Sequence, residues 1–430
     1  MRPALLPPDH PDRAALAAEV HARPPEPLSA PARASYVAVR VAAPDRDAES
    51  AHLATLCQGH GLTPPGPGRT QWAADLGPLR VKWERHGEFS SYTFIVAGLG
   101  HAPFDAPPVT LLPEGWLAAV PGQTVLACHA EAERLTGELP DAQTLAARFG
   151  PAVVVGARIG DGVGAAYTDF QIHDDGFARF VLLDRAMTAR QAGRMLQRLF
   201  EIEAYRMMAL LALPMARSLW PQLMADESRL AALTEQIAGQ SDDDETLLQQ
   251  LTTLAAGIES ALAASQSRFG ASRAYHALVT TRIAELREQR IDGLQTIDEF
   301  MARRLSPAMA TCATVSQRLQ DLSERVAQAT GLLSTRVDIA RQRQNQALLA
   351  ATARRAQLQL RLQQTVEGLS LAAIVYYMAG LVGYAAKAAK SAGLPVSPDL
   401  VTGLSLPVLA GLAWWVLHGV HQHIANADEP

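Results

Sequence analysis

Apolar residues change their spacing twice along this chain. Up to about residue 183 they fall in short alternating runs, from 188 they recur every three or four residues, and from 368 they become continuous. Alternation marks strands that bury one face, and the longer period marks amphipathic helices. Residues 34–42, with Tyr36, Val37, Val39 and Val41, are predicted as a strand and 47–57 as a helix. Residues 79–86 and 89–96 are expected to form a hairpin around Gly87. Three more strands follow at 153–158, 164–172 and 177–183, the last two joined by the turn His173-Asp174-Asp175-Gly176. Gly and Pro punctuate the region, which is expected to be an α/β or α+β domain over residues 1–185.

After Thr188 the pattern is helical and no further strand is predicted. Met195, Leu196, Leu199, Phe200, Ile202, Tyr205 and Met208 lie on one helix running to about 219, with Pro214 allowing a kink. Helices over 222–238 and 245–301 complete a helical region, 186–305, that packs back on the next element. Ser306-Pro307 is a helix start, and no proline follows until Pro395. A stalk, 306–367, therefore runs unbroken into the first continuous apolar segment; from Pro307 to Ala386 that helix would be on the order of 120 Å long. Leu319, Leu322, Val326, Ala329 and Leu333 give it a coiled-coil seam. A helix of that length needs neighbours, either the preceding helices or copies of itself.

Residues 368–386 carry no ionisable group other than tyrosine, and 401–420 lack Asp, Glu, Lys and Arg. Each is long enough to cross a bilayer core of about 30 Å. They are read as a transmembrane hairpin with a loop at 387–400 and a tail at 421–430; the alternative is a pair of helices buried in a soluble core. Arg341, Arg343, Arg354, Arg355 and Arg361 precede the first span, against Lys387 and Lys390 in the loop, which favours both termini on the cytoplasmic side.

A net charge of −5 gives no reason to expect a nucleic-acid partner. Cys57, Cys128 and Cys312 are few and far apart, the pattern of a reducing compartment. The N-terminus lacks the apolar core of a secretory signal, so the long N-terminal part is expected to stay in the cytoplasm.

Segments 19–33, 81–94, 200–217 and 335–384 together resemble a bacterial family of membrane-anchored proteins whose function is unknown, and the likeness covers nearly the whole chain. In layout the chain also resembles the CorA-type divalent-cation channels, through GLLSTRVD in the stalk and MAGLVGY at the end of the first span. That resemblance implies a homo-oligomer, up to a pentamer, in the bacterial inner membrane, passing a divalent cation such as Mg or Zn. Where those channels carry Gly-Met-Asn, this chain has Gly383-Tyr384-Ala385, and the loop that follows is basic. These departures keep a second class open: a non-transporting membrane-anchored scaffold or sensor whose cytoplasmic domain binds a protein or a small ligand.

Three sets of residues are candidates for chemistry. Glu367, Ser370, Tyr377 and Tyr384 share a polar sector of the first span, and with Gly380 and Gly383 they are the pore-lining candidates. Gly368, Ala372, Ala379 and Gly383 form a small-residue sector for close helix approach. Trp83, Arg85, His86 and Glu88 crowd one hairpin, with His21 and Arg23 in a Pro-bounded loop; Arg and His could hold an anion or a nucleotide while the Trp83 indole offers a stacking face. His418, His421 and His423 could converge on a metal. There is no nucleophile–base–orienter order, no Walker A loop and no GxGxxG after a strand, so no enzyme is expected. Gly160-Asp161-Gly162-Val163-Gly164 precedes a strand and is read as a tight turn.

Overall fold

The computed structural model describes residues 7, 9–19, 25–239, 243–393 and 395–425. After a short helix α1 (Arg13–Glu19) come β1 (Ala32–Arg40), α2 (Arg46–Gly59), β2 (Gln71–Leu76), β3 (Leu79–Arg85), β4 (Ser90–Ala97), β5 (Gln123–Arg134), α3 (Ala142–Phe149), β6 (Val155–Ile159), β7 (Gly164–Thr168) and β8 (Ala178–Asp184). With β9 (Gln289–Arg290) the strands form one sheet in the order β2-β3-β4-β1-β5-β8-β7-β6-β9. Every neighbouring pair is antiparallel except β5 and β8. The turn at 160–162 takes positive φ at Gly160, Asp161 and Gly162, as a tight turn between β6 and β7 requires.

Side chains alternate across the sheet. From β1, Ser35, Val37 and Val39 point to one side, where α2 and the segment 99–122 bury them with Leu53, Leu56 and Trp116. Tyr167, Val181 and Leu183 continue that side and meet Phe149 of α3 and Phe104. Tyr36 points to the other side, where it stacks 4.9 Å from Phe200 of α4 (Ala189–Leu210). Helix α4 starts at a capping box made by Thr188 and Gln191 and buries the stripe of Met195, Leu196, Leu199, Phe200 and Ile202 expected from their spacing. Each such fully buried side chain contributes roughly 1.5–3 kcal/mol.

The helix expected to reach 219 is instead divided at Leu211, where α4 gives way to α5 (Ala212–Ala238). Pro214 has no N–H for the carbonyl four residues back, which accounts for the break. α6 (Asp244–Leu286) ends at Arg287, which adopts a left-handed backbone with φ 52°. The long helix expected to reach 301 is thus interrupted: the chain returns to the sheet as β9 beside β6 and only then forms α7 (Ile297–Arg304). Through Ser316, Arg318 and Ser323 the early part of α8 (Ser306–Ser391) meets α5 and α6. There Arg318 pairs with Glu227, and Leu319, Leu322 and Val326 are buried as the seam predicts. By packing, the chain divides into Met1–Thr330 and Gly331–Pro430, so a boundary near 185 falls inside the first unit.

In the second unit α8 continues to Ser391 and α9 (Pro398–Ala425) follows. Both carry stretches apolar enough to cross a membrane, with mean hydropathy 1.6 and 1.4. Helices in a soluble core pass the same test when buried, but these windows are only 11% and 0% buried.

Candidate functional site

The hairpin residues singled out from sequence do not converge. Trp83 and Arg85 alternate onto the α2 side, where both bind Glu49, a fully buried carboxylate. Glu49 accepts from the Trp83 indole N–H at 3.0 Å, from the Tyr92 hydroxyl at 3.1 Å and from Arg85 at 2.8 Å. Arg85 also donates to the Arg46 carbonyl and Ser50, and lies 4.9 Å over the Trp83 ring. The indole offers no stacking face: it is 1% exposed and its N–H is taken. Burial and Glu49 push the Tyr92 hydroxyl pKa upward. In the turn, His86 stacks on Phe89, and Glu88 makes a double bond-pair with Arg268 of α6. His21 and Arg23 lie outside the described residues. Glu49 was missed; the available signal was its place four residues before Leu53, on the buried face of α2.

The opposite side of the same strands holds a different cluster. Lys82 and Glu84 point toward α4 and pair at 3.0 Å, each side chain 7% exposed. Tyr36, Ser91 and Thr93 stand beside them on β1 and β4, and Leu196 and Phe200 of α4 roof the space. The partly open cavity measures about 30 Å³, room for one or two waters or the tip of a ligand. Its wall depends on Gly193: a Cβ there would lie 1.8 Å from the Glu26 carbonyl oxygen. The segment through Leu28 is held by the Leu28 amide donating to Ala189 O at 2.9 Å. An ammonium, a carboxylate and a phenol thus meet under an apolar roof, a setting that recognises polar groups by paired charge and hydrogen bonds.

A serine and a histidine on the adjacent strands β1 and β5 also align with an aspartate of the turn before β8. Ser35 Oγ is 2.9 Å from His129 Nδ1, and Asp175 is 4.0 Å from His129 Nε2. Ser35 is fully buried, and burial lowers His129 to a pKa of about 4. With no approach to the hydroxyl, the set is a cross-strand lock and not a nucleophile.

On α8, Tyr377 and Tyr384 are 72% and 74% exposed, and Ser370 and Gly380 are exposed as well. Glu367 accepts from Gln363 at 3.2 Å. Gly383 belongs to the other sector: a Cβ on it would be 3.0 Å from Thr402 Oγ1 of α9, and Ala379 and Ala386 are buried. Of the small-residue sector, Ala379 and Gly383 therefore serve the pairing of α8 with α9 and Gly368 and Ala372 are exposed, while the two tyrosines face away from it. His418 is exposed and stacks on Trp414, and the side chains of His421 and His423 lie outside the described part. Among the described residues no three His, Cys, Asp or Glu side chains are grouped to hold a metal ion.

A family model described as Protein of unknown function (DUF3422) matches residues 8–424. No curated protein and no solved structure matches the chain.

Proposed function

The chain belongs to the family Protein of unknown function (DUF3422), and from its own geometry we propose that it is a membrane-anchored scaffold or sensor that binds a small polar ligand on the α4 side of its sheet. The observation that carries this reading is the buried Lys82–Glu84 pair lining a cavity. Apolar residues of similar volume would pack as well or better, because removing two charges from water costs several kcal/mol per ion. Two C-terminal helices then hold the ligand-binding unit at the inner membrane, with both termini cytoplasmic. Support for the orientation comes from Arg354, Arg355 and Arg361 ahead of the first span.

The ligand is tested by thermal shift of the full chain in mild detergent against small carboxylates and amines such as formate, acetate and methylamine. A compound that raises the melting point of the parent and not of a folded Lys82→Met variant supports the site. No shift by any compound, or an equal shift in both proteins, contradicts it. Labelling Ser391→Cys and Asn426→Cys variants in intact cells checks the orientation: the loop cysteine should react from outside and the tail cysteine should not.

A second reading, passage of divalent cations by a CorA-like oligomer, is favoured by one observation: Tyr377 and Tyr384 turn away from α9, on the sector that begins at Glu367. Liposome flux with Mg²⁺, Zn²⁺, Co²⁺ and Ni²⁺ separates the two. Conduction requires flux from the parent that falls sharply in Glu367→Gln, and absence of parent flux in every ion excludes it.

A further inference from the structure

Residues 338–366 of α8 are exposed at every position. Among them Leu348, Leu349, Leu358, Leu360, Leu362 and Val366 are each more than half exposed. Propensity alone does not hold so long a helix in water, and bare leucines are stabilised by being covered. Leu348, Ala351, Leu358, Leu362 and Leu369 fall on alternating three- and four-residue steps, with Arg355 and Thr365 in the two remaining places of the same series. We propose that this seam is a self-association surface, along which a second copy of the chain packs as a parallel, in-register two-stranded coiled coil.

The charges flanking the seam bear on the direction in which a second copy packs. Arg354 and Arg361 occupy the position just before each seam pair, and no Asp or Glu lies between Asp338 and Glu367. In a parallel copy these arginines face the neutral Gln359 and Val366 of the other strand. An antiparallel copy would set Arg354 against Arg361, and like charges at that range repel. Arg355 falls within the seam itself and, in a parallel in-register pair, meets Arg355 of the other strand. A single basic residue there lowers stability but specifies register and copy number, and in a two-stranded coil its long stem can carry the charge past the partner into water. A closed bundle of five would trap a ring of arginines.

The lower end of the seam agrees with this. Leu362 and Leu369 remain 66% and 76% exposed, so α9, which covers Ala379 and Ala386, leaves the seam open. Here the inference rests in part on the membrane reading: two copies in one bilayer enter it from the same side, which is the parallel arrangement. Two copies set no ring of first spans around an axis, so the inference also opposes the conduction reading.

The test uses the full chain in mild detergent, whose native Cys57, Cys128 and Cys312 are buried and give little background. Oxidation of a Leu358→Cys variant should produce a two-chain species severalfold more abundant than oxidation of Gln364→Cys, which lies on the far side of the helix. Light scattering of the parent, corrected for detergent, should give two copies. A Leu358→Glu/Leu362→Glu double variant should become monomeric while keeping its association with vesicles. A monomeric or five-copy parent, equal cross-linking at both cysteines, cross-linking only to a different protein, or a double variant still dimeric would each overturn the proposal. Because the cysteine comparison needs no charged substitution, it decides the question even where the double variant misfolds.

Discussion

At the scale of single residues, two buried groups carry measurable consequences. His129 is 3% exposed and its pKa is lowered to about 4, chiefly by burial, with Arg179 acting in the same direction and Asp175 against it. An unfolded chain takes up the proton near pH 6.5, before the folded one does. Stability from this residue is therefore complete above that pH and is lost progressively as pH falls from about 6.5 to about 4, by roughly 3 kcal/mol in total. Denaturant midpoints measured from pH 7 to pH 4 should fall less steeply in His129→Asn than in the parent. Equal slopes would mean that His129 titrates normally in the fold. Glu49 is the second case. Removing it leaves Arg85 and two further donors without their shared acceptor, so Glu49→Ala should cost about 3–5 kcal/mol, read as a drop in the melting temperature; a loss below about 1 kcal/mol would be that of an ordinary surface change.

At the scale of elements, α4 holds the N-terminal segment against the sheet through one glycine. Gly193→Ala places a methyl group on the Glu26 carbonyl, so the segment through Leu28 has to lift. Hydrogen exchange should show the Leu28 amide, normally bonded to Ala189 O, losing protection while the strands keep theirs. Unchanged protection at Leu28 would show that the helix shifts instead. Legibility at this scale follows the strength of the periodic signal. The buried stripe of α4 and the two apolar helices could be read because Leu, Ile, Phe and Met repeat without interruption. The central strand β5 could not: its apolar side is Cys128, Ala130 and Ala132, too small to stand out, and its other side is His129, Glu131 and Glu133, which resemble a solvated segment. Those groups are satisfied internally, Glu131 by the Phe104 amide and Glu133 by Arg148. The two-residue strand β9 depends on pairing with β6, which no local pattern records. For the site, the hairpin was legible as a polar cluster, but the side of the sheet each residue faces was not. Trp83 and Arg85 turned to Glu49, while their neighbours Lys82 and Glu84 turned to the cavity.

At the scale of the whole molecule, the membrane reading rests on a contrast within the chain. Apolar helices of a soluble protein are covered, as Leu319, Leu322 and Val326 are in the first unit. Leu369, Ile374, Leu381, Leu404 and Trp415 are instead mostly exposed along two helices whose apolar stretches have mean hydropathy 1.6 and 1.4. Hydrocarbon is the solvent in which such surfaces are stable. An exposed patch of this size in water would drive aggregation. The most direct measurement is flotation of the full chain, incorporated into lipid vesicles and washed at alkaline pH, through a density gradient. Two spanning helices predict that the protein rises with the lipid after the wash; protein released into the load fraction would contradict the anchor and every functional reading built on it.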